Sequence, residues 1–132
     1  RVQHCIDLAE ETAKRGISAA TLVGKMTKKQ RAEVLRLADD REISALFATT
    51  VADEGLDLPG LDTLMLTTPT KSMGRIQQRI GRIMRRADNK KQPLVIDLVD
   101  AAKALFFMHK KRSLFYEQVG CTVQKVGTGA IL

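Results

Sequence analysis

Apolar residues change their spacing several times along the chain, and each change marks an element. From Val2 onward, Cys5, Ile6, Leu8, Ala9 and Ala13 keep a helical rhythm to residue 15, where Gly16 stops it directly after a basic end. Residues 17–23 form a short apolar run between Gly16 and Gly24, the form of a buried strand. Thr27 and Gln30 then stand in capping-box spacing, and Val34, Leu35, Leu37 and Ala38 carry a stripe to Asp39. Residues 43–49, 63–67 and 94–99 read as further strands, the last opened by Pro93. Residues 71–86 and 101–118 read as helices, the second capped by Asp100, and 122–126 as a last short strand. Continuous hydrophobic strands alternating with helices predict an α/β fold, a three-layer α-β-α sandwich around a mostly parallel sheet covered on both faces. Ligands of such sheets bind at the carboxyl ends of strands, which directs attention to Gly24, to residues 49–57 and to residues 67–72.

Composition narrows this picture. A chain of 132 residues, 44% hydrophobic and 28% charged, is expected to form one domain spanning residues 1–132 with a packed core. No apolar run approaches the roughly 18 residues that cross a bilayer, and the first ten residues alternate charge with hydrophobe unlike a signal peptide, so a cytoplasmic protein without a membrane partner is expected. Cys5 and Cys121 form no C-x-x-C pair, and His4 and His109 are the other soft ligands, so the reading is two reduced, packed cysteines and no metal site. The net charge of +7 favours a polyanionic partner. The densest cation cluster runs through Lys71, Arg75, Arg79, Arg82, Arg85, Arg86, Lys90 and Lys91. Phe106, Phe107, Phe115 and Tyr116 lie apart from it in the last helix and are expected in the core.

Within the helix predicted over 71–86, Met73, Ile76, Ile80, Ile83, Met84 and Ala87 gather within roughly 100° of one another. Gln78, Arg82 and Arg85, spaced i, i+4, i+7, fall on the opposite side, with Gly81 among them permitting close approach by another surface. A solvated basic face is the bland reading of such a row. Two guanidiniums one turn apart are also suited to gripping one phosphate, because each fork is planar and permanently charged, and a glutamine beside them can orient a water. That layout stabilises charge in phosphoryl transfer.

The stretch from Gln78 to Arg85, QRIGRIMR, resembles motif VI (Q-R-x-G-R-x-x-R) of superfamily 2 helicases and translocases. Upstream, residues 48–59, ATTVADEGLDLP, resemble motif V of the same superfamily, with a strand between the two. The resemblance covers nearly the whole chain as the second of two RecA-like motor domains, a P-loop NTPase type fold. It implies an ATP-dependent helicase in which Arg82 and Arg85 reach the γ-phosphate of ATP held by a preceding domain, with Gln78 near the γ-phosphate or the attacking water. It implies Gly55 and Asp57 beside the nucleotide, although Asp57 serves equally as a turn or capping residue before Pro59. Thr49 and Thr50 are implied to touch nucleic-acid phosphates, a grip that does not read bases. Gly24 and Arg31 resemble the region after motif IV that contacts the strand backbone, with Lys25 or Thr27 able to serve as well.

Two departures refine the resemblance. DEAD-box RNA helicases usually carry Arg-Gly-x-Asp in motif V and His-Arg-x-Gly-Arg-x-Gly-Arg in motif VI, whereas this chain has Glu54-Gly55-Leu56-Asp57, Gln78 and Ile83-Met84. These point to the DNA-directed branch of phage, repair and restriction-type helicases, which residues 94–100 followed by 112–116 also resemble. Asp97 in that strand is set aside as a structural carboxylate. The implied setting is bacterial or phage-like, nucleoid-associated when working. No G-x-x-x-x-G-K-[ST] stretch occurs, so ATP with Mg²⁺ is expected to be bound mainly by the preceding domain, and this piece alone to be inactive. The family's motif IV strand, which precedes the first helix, is likewise expected upstream or replaced by another element. Backbone contacts to DNA without strong sequence preference are expected. The alternative is a non-catalytic nucleic-acid-binding module of the same fold.

Overall fold

The computed structural model describes residues 2–50, 58–67, 72–99 and 102–127. Helix α1 (Val2–Lys14) closes at Gly16, whose φ of 78° lets its N–H reach the Ala13 carbonyl at 2.9 Å while the Ile17 N–H turns back to Thr12 at 3.3 Å. Strand β1 (Ala19–Leu22) follows, then α2 (Lys28–Asp39) and β2 (Ala45–Ala48). The capping box predicted for α2 is built: the Thr27 hydroxyl accepts the Gln30 N–H at 3.2 Å, and the Gln30 side chain accepts the Thr27 N–H at 2.9 Å. β1 and β2 pair in parallel, from Ala19 opposite Ala45 to Leu22 opposite Ala48. Helix α1 lies against both strands and α2 against β1, with Cys5, Leu22 and Val23 buried between them.

The second half repeats the plan. β3 (Thr63–Leu66) pairs in parallel with β4 (Leu94–Asp97), connected through α3 (Met73–Ile83) and followed by α4 (Lys103–Gln118). One face of this pair, carrying Leu64 and Val95, packs with Ile76, Ile80, Ile83 and Tyr116 into the core. The three isoleucines are 0–1% exposed, and each full burial stabilises by roughly 1.5–3 kcal/mol.

The α/β class and the parallel pairing are as expected, and four details differ. Among the described residues the strands form two separate parallel pairs rather than one ladder. Met65, Leu94 and Leu98 remain 53%, 52% and 43% exposed, because α1 and α2 both cover the first pair. An apolar run announces a strand but not what lies over it. Residues 122–127 form no strand, and Val123 and Val126 are exposed; three residues apart, they would fall on opposite faces of a strand and give it no apolar side to bury. Helix α4 is capped by Ala102 without a side-chain bond, and Asp100 lies outside the described residues.

Helix α3 is also shorter than its periodicity suggests, starting after Ser72 and ending with Met84 as its C-cap. The Lys90 ammonium stops it, donating to the Ile83 carbonyl at 2.6 Å and the Arg85 carbonyl at 2.7 Å. A cation there satisfies orphaned carbonyls and complements the negative end of the helix dipole.

Candidate functional site

The opposed faces of α3 arise from one spacing rule. Ile76, Ile80 and Ile83 must share a side, so Gln78 and Arg82 are driven to the other, where Gln78 is exposed and Arg82 half-buried. Arg75, seven residues before Arg82, falls on the same side and extends the row toward the start of the helix. The i, i+7 spacing that identifies it was available in the sequence. Arg85 is a correction: it lies one residue beyond the C-cap, exposed and off the helix, with its N–H bonded to the Arg82 carbonyl at 3.2 Å. A helical continuation to residue 86 placed it in the row, and the Lys90 cap removes that last turn. Arg75, Arg79, Arg82 and Arg85 each make interactions within the chain. At Gly81 a Cβ would meet open space, so the chain's own packing does not require the glycine.

A second group forms where β1 and β2 end. The parallel register places the exits of both strands side by side, and the Thr49 N–H donates to the Leu22 carbonyl at 3.2 Å. Gly24 and Lys25, both exposed and in a turn, therefore leave the sheet next to Thr49 and Thr50. Arg31 sits in the first turns of α2, half-buried, with its Nε buried and without a hydrogen-bond partner. Lys28 and Lys29 occupy the same helix start, whose first turn holds no acidic residue. Gly55 and Asp57 lie outside the described residues.

A third constellation joins β4 to α4. The Arg112 Nε and Nη2 donate to the two Asp97 carboxylate oxygens at 2.8 and 2.9 Å, and the Tyr116 hydroxyl donates to Asp97 Oδ2 at 2.9 Å. His109 Nδ1 stands 3.6 Å from the same oxygen, and its Nε2 is 3.2 Å from the Ser113 hydroxyl. Burial, then the Asp97 charge and hydrogen bond, push the Tyr116 phenol well above its usual range. Burial opposes the Arg112 charge, but the bidentate bond to Asp97 prevails and raises its pKa. This bears out the structural reading of Asp97, while its partners 12 to 19 residues away were not legible from local spacing. Of the helix's aromatics, Tyr116 is buried and Phe115 packs against the core, whereas Phe106 and Phe107 are 55% and 67% exposed, contrary to expectation.

Among the described residues no group of three or more His, Cys, Asp or Glu side chains is gathered for a metal, and no helix is long and apolar enough to cross a membrane.

Residues 1–87 match the helicase conserved C-terminal domain. The chain belongs to that family. This helicase C-terminal domain is 36% identical over 92 residues to a protein named as a helicase from Sulfolobus islandicus filamentous virus, covering 70% of this chain and 16% of the viral protein. It is 32% identical over 88 residues to a DNA 3'-5' translocase, XPB2, of Sulfurisphaera tokodaii, covering 67% and 20%. Among solved structures, the Pyrococcus furiosus Hef helicase domain superposes with a TM-score of 0.62 at 26% identity, over 85% of this chain and 22% of that one. The C-terminal domain of the DEAD-box protein Dbp5 superposes with a TM-score of 0.73 at 17% identity, over 92% and 69%, a likeness of fold alone. The fold is that of the second RecA-like domain of superfamily 2 helicases. The helicase C-terminal domain spans about a fifth or less of the length of the curated relatives it matches, whose names include both DNA and RNA helicases or translocases.

Proposed function

We propose that the chain is the second motor domain of an ATP-dependent DNA helicase or translocase, working against an ATP-binding domain that precedes it. The observation that carries this reading is α3, whose three isoleucines are sealed into the core while Gln78 and Arg82 stand on the opposite side beside an open glycine. ATP with Mg²⁺ supplies the phosphoanhydride bond whose cleavage drives the motor, and is held mainly by the preceding domain. The donor set on this chain fits its phosphate end: Arg82 and Arg85 offer permanently charged planar forks, Gln78 a neutral amide for a water, and Gly55 and Asp57 complete the nucleotide side. Arg82, fixed on the helix, is the principal arginine finger, and Arg85 acts from the following turn. An arginine supplied from a neighbouring domain contributes on the order of 10³ to 10⁵ in rate.

Gly24, Lys25, Thr49 and Thr50, which share one sheet edge, and Arg31 of the following helix grip the sugar-phosphate backbone. Hydroxyls, backbone N–H groups and cations at a strand end hold phosphates without reading bases. Glu54, Gln78 and the Ile83-Met84 pair, in place of the DEAD-box residues, favour DNA. The setting that follows is cytoplasmic, at the nucleoid of a bacterium or in a phage-infected cell. In the longer protein that carries this domain, Arg82→Ala is expected to lower ATP turnover by about 10³-fold or more while sparing DNA binding. Steady-state hydrolysis with and without single-stranded DNA reads this out. Unchanged turnover would sink the finger assignment, and absent turnover in the unsubstituted protein with DNA binding retained would favour the non-catalytic binding module.

A further inference from the structure

Helix α4 turns Arg112 and Tyr116 inward, which leaves residues 107, 110, 111 and 114, spaced i, i+3, i+4 and i+7, on its opposite face. Phe107 is 67% and Leu114 55% exposed there, and Lys110 and Lys111 lie exposed between them. Phe106 flanks the same face, its ring 6.4 Å from that of His109. From residue 103 to 116 the sequence holds no Asp or Glu; the exposed Glu117, three residues after Leu114, ends this face, and Lys110 and Lys111 leave it net positive.

We propose that this outward face of α4 is a stacking platform for the bases of single-stranded nucleic acid, with Phe107 as the stacking ring and Lys110 and Lys111 on the neighbouring phosphates. The proposal rests on the reading of the chain as a nucleic-acid-binding domain and adds a mode of contact absent from the strand-edge residues. Two features select this occupant. The centres of protein interfaces are depleted in lysine, and here two lysines sit between the apolar side chains, where a protein partner would have to desolvate them. A single strand answers both chemistries at once, because its phosphates pair with the ammoniums and its unpaired bases present faces to a phenyl ring. A duplex does not, since its bases are already stacked on one another.

The chain contains no tryptophan, so Phe107→Trp introduces a single indole as a reporter at the site. The 132-residue chain carrying it is titrated with oligothymidylate, with an abasic strand of equal length and charge, and with a duplex. Quenching by oligothymidylate and not by the abasic strand is expected. Phe107→Ala should weaken oligothymidylate binding by about tenfold and leave abasic-strand binding unchanged. Lys110→Gln with Lys111→Gln should reduce the salt slope by about 1.4. Binding of oligothymidylate without quenching, or equal quenching by the abasic strand, overturns the platform and leaves the nucleic-acid reading standing. Failure of the unsubstituted chain to bind any strand overturns both. A dimer in sedimentation that Phe107→Ala dissociates overturns the platform in favour of a second copy.

Discussion

In the β1–β2 half, charge stays at the surface: Arg36 reaches Glu33, Asp40 and Glu42, and all four side chains are about half exposed. In the β3–β4 half it goes inside, where Arg112, 4% exposed, is locked in two hydrogen bonds to an Asp97 that is 10% exposed. The same kind of ion pair thus has two physical meanings. On α2 water screens the charges and competes for them, so the pairs decorate a helix that its cap and tertiary packing already hold. Between β4 and α4 the partners have no water to return to, so losing either strands the other.

Breaking the inner pair should therefore have the largest effect. Arg112→Ala is expected to destabilise the chain by about 3–5 kcal/mol, read by urea or thermal unfolding. Replacing the pair with apolar residues and removing the third donor, Asp97→Leu with Arg112→Met and Tyr116→Phe, should restore most of that loss; a triple variant as unstable as the single one would break the comparison. Tyr116→Phe, which keeps the ring among the α3 isoleucines and removes one donor to Asp97, should cost about 1.5–3 kcal/mol. It should also remove an alkaline limb of the stability profile. Because the folded phenol has the raised pKa, its contribution is present below the ordinary value of about 10 and lost as pH climbs through the folded value. Next in size, Thr27→Ala should cost about 1 kcal/mol through the α2 cap. Arg36→Ala, at the other end of the comparison, should leave the unfolding midpoint unchanged at any salt concentration.

The same contrast explains what could be read from the chain. The α2 box was legible because Thr27 and Gln30 are three residues apart, and the α3 faces because Ile76, Ile80 and Ile83 repeat at helical spacing. Both are local regularities. The Asp97 cluster was half legible: a carboxylate inside a strand needs partners, but which turns of α4 supply them depends on how that helix docks. The exposure of Phe107 was illegible for a related reason, since α4 spreads apolar and charged residues over all its sides and the inward demand of Arg112 and Tyr116 decides which phenyls face water. Among the site residues, Gln78 and Arg82 were placed by periodicity alone, whereas Arg85 was misplaced because a lysine five residues later ends the helix first.

That lysine also divides the arginine pair mechanically. Arg82 is borne by a helix whose back is clamped in the core, while Arg85 hangs from a bend whose carbonyl is tethered by the Lys90 ammonium. Farther along the same bend, Asn89, at a φ of 59°, is tied through its carbonyl to Arg41 beyond α2, at 3.4 Å. Arg82 is therefore held by the core and Arg85 by a capped bend, and that bend ties it to the other half of the fold.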